Sequence, residues 1–485
     1  MDAGMTPDLL WKAAEVARAA EGRLLSGSGE THFDRIVINS RLIEEKDLFV
    51  AIKGTRHDGH DFVAEVIGKG VRGVVVEHSG APALMPMLES RGAVCVAVED
   101  TTVALGRLAR YRRRIVGPKV VAITGTSGKT TTRAITEAVC GRACRVLATH
   151  GNLNNAIGLP LTLLRLEMEH QLAILELGTN SPGEIAALAE ICEPDIGVVL
   201  NVGPGHLQGL GSVEGVAREK GTLLEALDRE SGVAVLNFDD PLVSGMADRA
   251  SCRVIGYGLS KRADVRALSV KRGQRWLEFE LFIRESGERV DVRLPCAGMF
   301  MVSNALAAAA VGCTLGIGAQ EIKAGLERFV QVPGRMAIRN TRAGFTVVDD
   351  SYNANPSSVA AAISGLIDLK GDGRGILVMG DMLELGDHAA DMHGKTGAVA
   401  VESGVDMICA TGDFAKAVAD GAVSAGMAPE KIITGSKDKI VNCLRSVLRD
   451  GDWVLVKGSR AMRMESVVSD LLALGDGGCT KGEDR

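Results

Sequence analysis

The feature that most constrains this 485-residue chain is a glycine-rich turn that begins at Thr124. The β-branched, apolar run 120–123 leads into the turn, and a helical pattern follows it and stops at Gly141. A strand, a glycine loop and a helix N-terminus in this order bind phosphate, because loop N–H groups and the positive helix end face the anion. We therefore predict a nucleoside triphosphate site, in which Lys129 reaches the terminal phosphates and Thr130 holds a magnesium ion. Its loop residues are Gly125, Thr126, Ser127, Gly128, Lys129, Thr130 and Thr131.

The spacing of this loop departs from the standard phosphate-binding pattern. It reads G-x-x-G-K-T, two residues shorter than G-x-x-x-x-G-K-[ST], and Ile123 stands where the first glycine would fall. A glycine-rich surface turn that happens to contain a lysine is the alternative interpretation. The strand and helix patterns on the correct sides of the loop favour the phosphate site.

The composition excludes several classes of protein. Hydrophobic residues make up 46% and charged residues 24% of the chain, values that suit a soluble globular protein, and the length favours three domains. The net charge is −6 and there is no basic tract, which argues against a nucleic-acid partner. We find no apolar run long enough to span a membrane and no signal-peptide pattern. Because the ten cysteines are scattered without metal-ligand spacing, we expect a reduced, cytoplasmic protein without a zinc site. We also expect a monomer.

The first segment, which we place at 1–116, has the pattern of a small α/β domain. Ser40, Arg41 and Lys53 lie at predicted element ends and suit an anion or nucleotide-sugar site, with solvated loop residues as the alternative. A helix predicted over 102–115 ends in a run of arginines. We interpret this run as the solvated face of a linker helix.

The central segment, which we place at 117–332, contains an amide-rich loop and a carboxylate within a strand. Asn152, Asn154 and Asn155 lie beside glycines and suit an oligo-polar substrate, although asparagine and glycine also form ordinary turns. Glu176 lies near the C-terminal end of an apolar strand, where open α/β sheets bind ligands. An ionised carboxylate is costly to bury alone, so we expect a bound cation beside it or, alternatively, a structural salt bridge.

Two further residues of this segment combine polar chemistry with an apolar setting. His206 follows the next buried strand, at the expected carboxyl edge of the same sheet. Lys220 lies seven residues after Val213, on the apolar stripe of a helix that Ser212 can cap. Such a lysine usually extends to water, and chemistry alone favours that interpretation. A buried lysine can instead lose its proton and react with carbon dioxide, and the resulting carbamate can bind magnesium.

The rest of the chain completes an α/β fold with three domains. The central domain is predicted to be a P-loop-type parallel-sheet ATPase domain with an antiparallel excursion over 276–294, followed by an Ala-rich helix that contains Asn304. Strands and helices alternate in the third segment, 333–485, which predicts a Rossmann-like parallel sheet. Asp350 follows its first strand and can bind ribose hydroxyls, and Ser357 can cap the next helix. Since there is no G-x-G-x-x-G, we do not expect NAD.

These motifs resemble the fingerprint of the Mur ligase family, and the resemblance covers nearly the whole chain. The fingerprint consists of the phosphate loop, the run Gly151-Asn152-Leu153-Asn154-Asn155, and Glu176, His206, Lys220, Arg335 and Asp350. The chain is most similar to the family members that act last in the cytoplasm. That similarity rests on the motifs at 350–358 and 379–386, and on Ser40-Arg41 together with the motif at 47–54.

The resemblance implies an ATP-dependent amide ligase of peptidoglycan precursor synthesis, whose substrates are UDP-N-acetylmuramoyl-tripeptide (UDP-MurNAc-tripeptide) and D-Ala-D-Ala. It implies that Lys129 and its loop hold the β- and γ-phosphates of ATP. It also implies two magnesium ions, one held by Thr130 and Glu176 and the other by His206 and a carbamylated Lys220. This implication reverses the preference for a solvent-exposed lysine.

Further roles are carried over position by position. The implied nucleotide contacts are Asn304, Arg335 and Asp350. The implied contacts to the acceptor carboxylate and its phosphate are Asn152, Asn154 and Asn155. The implied contacts to the incoming dipeptide are Tyr352, Asn353 and Asn355. The implied contacts to the uridine nucleotide are Ser40 and Arg41.

The implied reaction explains this combination of residues. The substrate carboxylate attacks the γ-phosphorus of ATP to give an acyl phosphate, and the amine of D-Ala-D-Ala then displaces phosphate. Both reactants of the first step are anions, so metal ions and Lys129 must reduce their repulsion. Because the acyl phosphate must be kept from water, we expect the third domain to close onto the second.

The chain departs from the family pattern at three positions. Asn39 replaces the usual aspartate before Ser40, Met301 replaces the first asparagine of His-Asn-x-x-Asn, and Lys46 replaces a glycine. The departure at Met301 removes one polar group expected on the ATP side. None of the three changes a proposed metal ligand or phosphate contact.

Two alternatives remain open at this point. One is another amide ligase of the same scaffold, such as a muramyl ligase that adds a single amino acid, or a folylpolyglutamate synthase. The other is a nucleotide-binding regulatory module that performs no chemistry. Amine-dependent phosphate release from ATP distinguishes among them.

Overall fold

The structure is a computed structural model that describes residues 9–475. Its strands are β1 (Trp11–Lys12), β2 (Arg23–Ser26), β3 (His32–Phe33), β4 (Arg35–Val37), β5 (Asp47–Val50), β6 (Gly73–Glu77), β7 (Val94–Val98), β8 (Lys119–Thr124), β9 (Val146–Ala148), β10 (Leu172–Glu176), β11 (Ile196–Val199), β12 (Val233–Asn237), β13 (Arg253–Gly258), β14 (Val265–Arg272), β15 (Leu277–Ile283), β16 (Arg289–Leu294), β17 (Ala337–Asn340), β18 (Thr346–Asp350), β19 (Gly375–Met379), β20 (Met407–Ala410), β21 (Ile432–Thr434) and β22 (Trp453–Lys457).

The α-helices are α1 (Ala13–Ala19), α2 (Val63–Gly68), α3 (Ala81–Ser90), α4 (Thr101–Val116), α5 (Lys129–Cys140), α6 (Gly158–Leu163), α7 (Glu184–Cys192), α8 (Leu207–Leu210), α9 (Val213–Glu225), α10 (Pro241–Ser244), α11 (Phe300–Thr314), α12 (Ala319–Glu327), α13 (Pro356–Lys370), α14 (Ala389–Glu402), α15 (Ala415–Ser424), α16 (Lys437–Val447) and α17 (Glu465–Gly475). Short 3-10 turns occur at Gly59–Phe62, Gly245–Arg249, Gly386–His388, Pro429–Lys431 and Arg460–Met462. None of these helices combines the length and apolar character needed to traverse a lipid bilayer.

The residues group into two compact units. Of the described residues, the first unit holds those up to Ala122 together with Cys144–Gly178 and Glu184–Asp195. The second unit holds Ile123–Ala143, Thr179–Gly183 and the residues from Ile196 onward.

A five-stranded sheet forms the centre of the first unit. Its order is β2-β7-β6-β5-β4, and every neighbouring pair is parallel except β2 with β7. Successive strand residues point to opposite faces, so Leu48 and Val50 pack beneath α1 and α4 whereas Phe49 packs against α2 and α3. The same unit contains the parallel pair β9 and β10.

The arginines of α4 are not the solvated face that the sequence suggested. Arg110 and Arg114 both bind the Glu193 carboxylate, at 2.8 and 2.5 Å. Arg113 donates to the backbone carbonyl of Glu193 at 2.9 Å. The prediction was wrong because α4 packs against α7, and the carboxylate lies one residue beyond that helix.

Arg112 departs furthest from that prediction, because it is buried. Its guanidinium carbon lies 4.7 Å above the centre of the Trp11 ring, and Nη2 donates to the Leu9 carbonyl at 2.9 Å. Burial lowers the pKa of Arg112 to about 10. The side chain therefore joins α4 to the first described residues of the chain.

The second unit contains a parallel set of strands that continues into an antiparallel hairpin. Strands β11, β12, β13 and β14 pair in parallel, and β15 and β16 follow as antiparallel neighbours. This arrangement confirms the predicted excursion. Helix α11 packs on α5 and β13, and its small alanine side chains are buried on every face.

The same unit contains a six-stranded sheet in the order β17-β18-β22-β19-β20-β21. All of its neighbours are parallel except β17 with β18. Helices α13, α14 and α15 supply the core on one face, and α16 and α17 supply it on the other. This doubly wound arrangement is the predicted Rossmann-like sheet, with an additional antiparallel strand at its edge.

One local prediction needs correction. Asn355, and not Ser357, caps α13, because its side chain accepts from the Ser358 N–H at 2.8 Å and Pro356 takes the first helical position. The last strand, β22, ends in a charged residue, Lys457. Lys457 remains in the sheet because its charge is paired with Asp350 on the neighbouring strand.

We predict that Arg112→Ala lowers the free energy of unfolding by about 2 kcal/mol, because it removes a buried stacking contact and leaves the Leu9 carbonyl without its donor. Urea titration followed by circular dichroism measures the change. Arg107→Ala, on the same helix with an exposed side chain, should cost less than about 1 kcal/mol. Equal effects of the two substitutions would contradict a special role for Arg112.

Candidate active site

The phosphate loop joins β8 to α5 as the sequence predicted. Gly128 caps the helix with a φ of +83°, a conformation that favours glycine. A Cβ atom at this position would lie only 2.8 Å from Oδ1 of Asn304, so space and backbone both require glycine here. The helix begins at Lys129, whose Nζ folds back and donates to the Gly125 carbonyl at 2.6 Å.

Asn201, at the end of the strand before His206, fixes the shape of this loop. Its Oδ1 accepts from the Ser127 N–H at 2.9 Å, and its Nδ2 donates to the Ser127 carbonyl at 3.1 Å. The Thr126 N–H donates to the Asn201 carbonyl at 3.1 Å, and the Thr126 hydroxyl accepts from the Gly203 N–H at 3.0 Å. Residues after β11 therefore hold the loop in its anion-binding conformation.

A cavity opens beside the loop. Its lining combines polar groups with apolar side chains and includes Ser127, Gly128, Thr131, Asn201, Phe300, Met301, Asn304, Arg335, Met336, Asp350 and Lys457. Buried Asn304 donates from Nδ2 to the Met301 sulfur at 3.9 Å. The thioether is a weak acceptor, so Met301 partly fills the place of the polar group that the family pattern led us to expect.

Arg335 approaches the loop from the segment before β17. Its Nη2 donates to the Thr130 hydroxyl at 3.2 Å, and its Cζ lies 4.3 Å from the centre of the Tyr352 ring. Within the described residues, its buried Nε has no hydrogen-bond partner. Arg335 therefore lines the cavity with a cationic side chain that suits an anionic ligand.

Asp350 and Lys457 form a buried ion pair that borders the same cavity. Nζ of Lys457 donates to Oδ2 of Asp350 at 2.5 Å and to the Asn353 carbonyl at 2.9 Å. Oδ1 of Asp350 accepts from the Met336 N–H at 3.1 Å. Burial lowers the pKa of the Lys457 amine, and Arg335 lowers it further, whereas Asp350 acts in the opposite direction. The carboxylate is therefore held in a fixed orientation at the end of β18.

Lys220 is buried on α9, with only 1% of its surface exposed. The alternative in which it extends to water is wrong, because α9 turns this side chain inward. Burial lowers the pKa of its amine well below the ordinary value, nearby Lys129 lowers it further, and Glu219 acts in the opposite direction. This environment favours the neutral form of the amine, which is the nucleophilic form.

Glu219, next to Lys220, is buried and supports the chain after residue 178. Its Oε2 accepts from the Gly183 N–H at 2.8 Å, and its Oε1 lies 3.5 Å from the Thr179 hydroxyl. The carboxylate thus joins α9 to the turn that precedes α7. The sequence analysis had not identified this residue.

His206 adopts a left-handed backbone conformation, with a φ of +56°. Its Nδ1 lies 2.6 Å from Oε2 of Glu384, which comes from the loop after β19. The approach is oblique, so the contact is an ion-pair distance rather than a well-aligned hydrogen bond. The His206 imidazole holds the pKa of the Glu384 carboxyl below its ordinary value, and Lys129 contributes to the shift.

The three residues predicted for a dipeptide lie on the segment between β18 and α13. Tyr352 stacks between the guanidinium groups of Arg335 and Arg460, at 4.3 and 5.6 Å from its ring centre. Asn353 accepts from the Ala354 N–H through its side chain. Besides capping α13, Asn355 donates from Nδ2 to the Thr126 carbonyl at 3.2 Å.

The remaining predicted residues belong to the first unit. Buried Glu176 ends β10, and its N–H donates to the Thr149 hydroxyl at 3.0 Å. The Asn154 carbonyl accepts from the Gly178 N–H at 2.8 Å, and a Cβ at Gly178 would lie 2.9 Å from the Asn154 side chain. The unit therefore brings the amide-rich loop to the end of the strand that carries Glu176.

The other polar residues of this unit have ordinary turn and capping contacts. Asn155 caps α6 by accepting from the Gly158 N–H at 2.8 Å, and Asn152 is exposed. Arg41 is exposed, and Oδ1 of Asn39 accepts from its N–H at 3.0 Å. The Ser40 carbonyl accepts from Lys69 at 2.9 Å. Because an aspartate can form the same turn, the departure at Asn39 preserves the local conformation.

Besides Glu219, sequence reasoning missed Asn201, Glu384 and Lys457 of the second unit. Asn201 and Glu384 follow strands and Lys457 ends one, and each contacts a residue far away in sequence; Asn201 lies 74 residues from its partner Ser127. The motif at 379–386, which contains Glu384, was noted but received no role. Its two acidic residues between apolar positions were the available signal.

Comparison with known proteins gives matches along most of the chain. Three family models match: "Mur ligase family, catalytic domain" at 32–113, "Mur ligase middle domain" at 123–312 and "Mur ligase, glutamate ligase domain" at 334–460. The chain is 33% identical to the UDP-N-acetylmuramoyl-tripeptide--D-alanyl-D-alanine ligase of Bacillus subtilis, over 94% of this chain and 97% of that protein.

Solved structures show the same relationship. MurF from Acinetobacter baumannii superposes with a TM-score of 0.87 at 33% identity, covering 96% of this chain and 100% of that one. MurF from Thermotoga maritima, solved in complex with ADP, gives a TM-score of 0.80 at 30% identity over 91% and 97% of the two chains. The predicted three-domain α/β fold is therefore confirmed, and this chain belongs to the Mur ligase family.

Proposed function

We propose that this chain is an ATP-dependent amide ligase that joins D-Ala-D-Ala to UDP-MurNAc-tripeptide through an acyl phosphate. The observation that carries the proposal is a phosphate loop approached by cationic or amine side chains from separate segments, Lys220 of α9 and Arg335 of the C-terminal segment. Relatives that match nearly the full length bear the name of this activity, and one MurF was solved with ADP.

The proposed division of labour follows the domain boundaries expected from the sequence. Residues 1–116 bind the uridine nucleotide through Ser40 and Arg41. Residues 117–332 bind ATP and hold the acceptor, and residues 333–485 bind the dipeptide and complete the nucleotide site. We further propose that the protein acts as a cytoplasmic monomer in peptidoglycan precursor synthesis.

The nucleotide roles follow from the cavity beside the loop. The loop N–H groups and the positive end of α5 face the phosphates, and Lys129 leaves the Gly125 carbonyl to reach them. Arg335 and Asn304 line this cavity, and we propose that their side chains contact the nucleotide. Asp350, fixed by its pair with Lys457, can accept from ribose hydroxyls.

The donor groups near the loop fit magnesium better than a transition metal. Within residues 9–475 no group of three histidine, cysteine or acidic side chains forms a metal cluster. Magnesium suits such a site, since it takes one or two protein ligands and completes its octahedron with phosphate oxygens and water. By correspondence with the family fingerprint, we propose Thr130 and Glu176 for one ion.

For the second ion we propose His206 and a carbamylated Lys220. A buried ammonium group could not lie beside a metal cation, whereas the neutral amine of Lys220 can attack carbon dioxide, lose a proton and carry a negative carbamate. When bound, the two ions would neutralise charge on ATP and on the attacking carboxylate.

In the first step, a carboxylate oxygen of the tripeptide forms a bond to the γ-phosphorus of ATP, and the bond to the bridging oxygen of ADP breaks. Lys129 and Arg335 stabilise the charge that moves onto the phosphate oxygens. We propose that Asn152, Asn154 and Asn155 orient the carboxylate without adding negative charge beside it.

In the second step, the amine of D-Ala-D-Ala attacks the acyl carbon, the carbon–oxygen bond to phosphate breaks, and the nitrogen loses a proton. We propose that Tyr352, Asn353 and Asn355 hold the dipeptide at the loop. Asn355 already bridges α13 and the Thr126 carbonyl, so a dipeptide there would lie beside the transferred phosphate. Exclusion of water by these residues protects the acyl phosphate from hydrolysis.

The direct test is amine-dependent phosphate release from ATP in the presence of UDP-MurNAc-tripeptide. D-Ala-D-Ala should support release, whereas single amino acids and glutamate with a folate acceptor should not. Preference for a single amino acid would assign the chain to the alternative ligase class, which the named relatives do not favour.

Lys129→Ala and Glu176→Ala should each lower this turnover about 100-fold or more, because each removes charge stabilisation at the transferred phosphate. Lys416→Ala, an exposed lysine of α15, should leave turnover unchanged. Unchanged turnover in the first two variants would favour the alternative of a regulatory nucleotide-binding module.

Lys220→Ala should lose at least about 100-fold in turnover, and bicarbonate or a short carboxylate such as acetate should restore part of it by occupying the vacated space. Lys220→Arg keeps a cation and fills the space, so it should be inactive without rescue. Equal activity of the arginine variant and the wild type would contradict the carbamate and indicate an ordinary ammonium group.

Asn201→Ala should weaken binding of a non-hydrolysable ATP analogue about 10-fold, because the loop loses two hydrogen bonds that set its conformation. Isothermal titration calorimetry measures the change. Asn442→Ala, an exposed asparagine on α16, provides the control and should bind as the wild type does. Wild-type affinity in both variants would show that the loop keeps its shape without Asn201.

A further inference from the structure

The loop after β19 is held rigidly by hydrogen bonds from three directions. The Met382 N–H donates to Nε2 of buried His393 at 2.9 Å, and the Leu383 N–H donates to the Ser459 hydroxyl at 2.8 Å. The Asp381 carboxylate accepts from the backbone N–H groups of Asp413 and Phe414. Three successive residues before Glu384 are therefore fixed to the surrounding C-terminal elements.

This anchoring places Glu384 in an uncommon conformation. Its φ is +64°, and its carbonyl accepts from the Gln208 N–H at 3.2 Å. Its partner His206 is also left-handed, with a φ of +56°. Such backbones cost free energy in residues other than glycine and persist only where the surrounding contacts impose them. The two strained residues direct their side chains at each other, with Nδ1 and Oε2 separated by 2.6 Å.

A carboxylate held beside Nδ1 can orient the imidazole ring. In a neutral imidazole with its hydrogen on Nδ1, the lone pair lies on Nε2, which is the arrangement a metal-binding histidine requires. Glu384 also interacts electrostatically with Lys129, so the pair lies near the phosphate loop. Neither the family fingerprint nor the roles proposed above assign a task to Glu384.

We propose that Glu384 is the positioning residue for His206: it holds the imidazole at its Nδ1 side and so leaves Nε2 for the second magnesium ion. This inference rests on the proposed function of the site. It also gives the C-terminal segment a task in metal binding, because Glu384 follows β19 whereas His206 follows β11. Because His206 is oriented only when Glu384 is in place, metal-assisted chemistry depends on both segments.

A purely structural ion pair is the competing explanation, and the two differ in their readouts. A structural pair would affect stability but not the affinity of the site for a metal ion. A positioning pair would affect the tautomer of His206 and metal affinity, even where the stability of the fold is unchanged. Removing the partner of a metal-binding histidine typically reduces metal affinity about 10- to 100-fold. Because the Glu384 carboxylate is half-exposed, we expect an effect at the lower end of that range.

The experiment compares wild type, Glu384→Ala, Glu384→Gln and the control Asp387→Asn, which changes an exposed carboxylate three residues further along. Manganese affinity is measured by electron paramagnetic resonance in the presence of a non-hydrolysable ATP analogue. Nitrogen-15 NMR of histidine-labelled protein reports the His206 tautomer, and His206→Asn assigns the signal. Thermal unfolding checks that each variant is folded.

We expect Glu384→Ala to weaken manganese binding about 10-fold and to shift the His206 signals away from the Nδ1–H tautomer. Glu384→Gln, whose amide oxygen can still accept from Nδ1, should recover most of both effects. Asp387→Asn should match the wild type. In a His206→Asn background, the alanine substitution should have no further effect on manganese affinity.

If folded Glu384→Ala has wild-type manganese affinity and unchanged His206 signals, this inference fails. The proposed function then still stands, because the wild type binds metal and turns over. A wild type that binds no metal with the nucleotide, or releases no phosphate with D-Ala-D-Ala, would overturn the proposed function and this inference with it. A second effect of the alanine substitution in the His206→Asn background would show that Glu384 acts through another group.

Discussion

The site depends on hydrogen bonds that hold the phosphate loop from outside the loop itself. Asn201 binds both the N–H and the carbonyl of Ser127, and Asn355 donates to the carbonyl of Thr126. A short loop of the G-x-x-G-K-T type has fewer residues of its own to stabilise its conformation. Amide side chains, which donate and accept hydrogen bonds at once, stabilise that conformation without adding a charge that would repel phosphate.

A second constraint is the accumulation of basic groups around one anion site. Lys129, Lys220 and Arg335 all lie near the loop, and they would repel one another if all were charged and buried. Burial of Lys220 reduces this cost because it favours the neutral amine, and Arg335 rests on the Tyr352 ring. Conversion of Lys220 to a carbamate would replace one of the three cations with an anion and supply a ligand for a metal ion.

Much of the fold and part of the site could be predicted from the sequence, and the limits have physical causes. The strand, glycine loop and helix around Gly128 and the alternating strands of the third segment are local patterns, and the structure contains both. The cap of α13 was assigned to Ser357 although Pro356, which prefers the first helical turn, indicates Asn355. Asn201 and Glu384 could not be assigned roles, because their partners lie in distant segments of the chain and only the three-dimensional arrangement brings them together.

The contacts that the C-terminal segment makes with the central segment share one chemical character. Arg335 reaches the Thr130 hydroxyl, Asn355 reaches the Thr126 carbonyl, and Glu384 reaches the His206 imidazole. Each contact uses a group that the nucleotide or its metal ions would also use. A bound nucleotide would therefore compete with these contacts or add to them. Because the contacts join the two segments, the binding of ATP and the placement of the C-terminal segment must be energetically coupled. In the proposed reaction, that coupling makes formation of the acyl phosphate depend on the placement of the C-terminal segment.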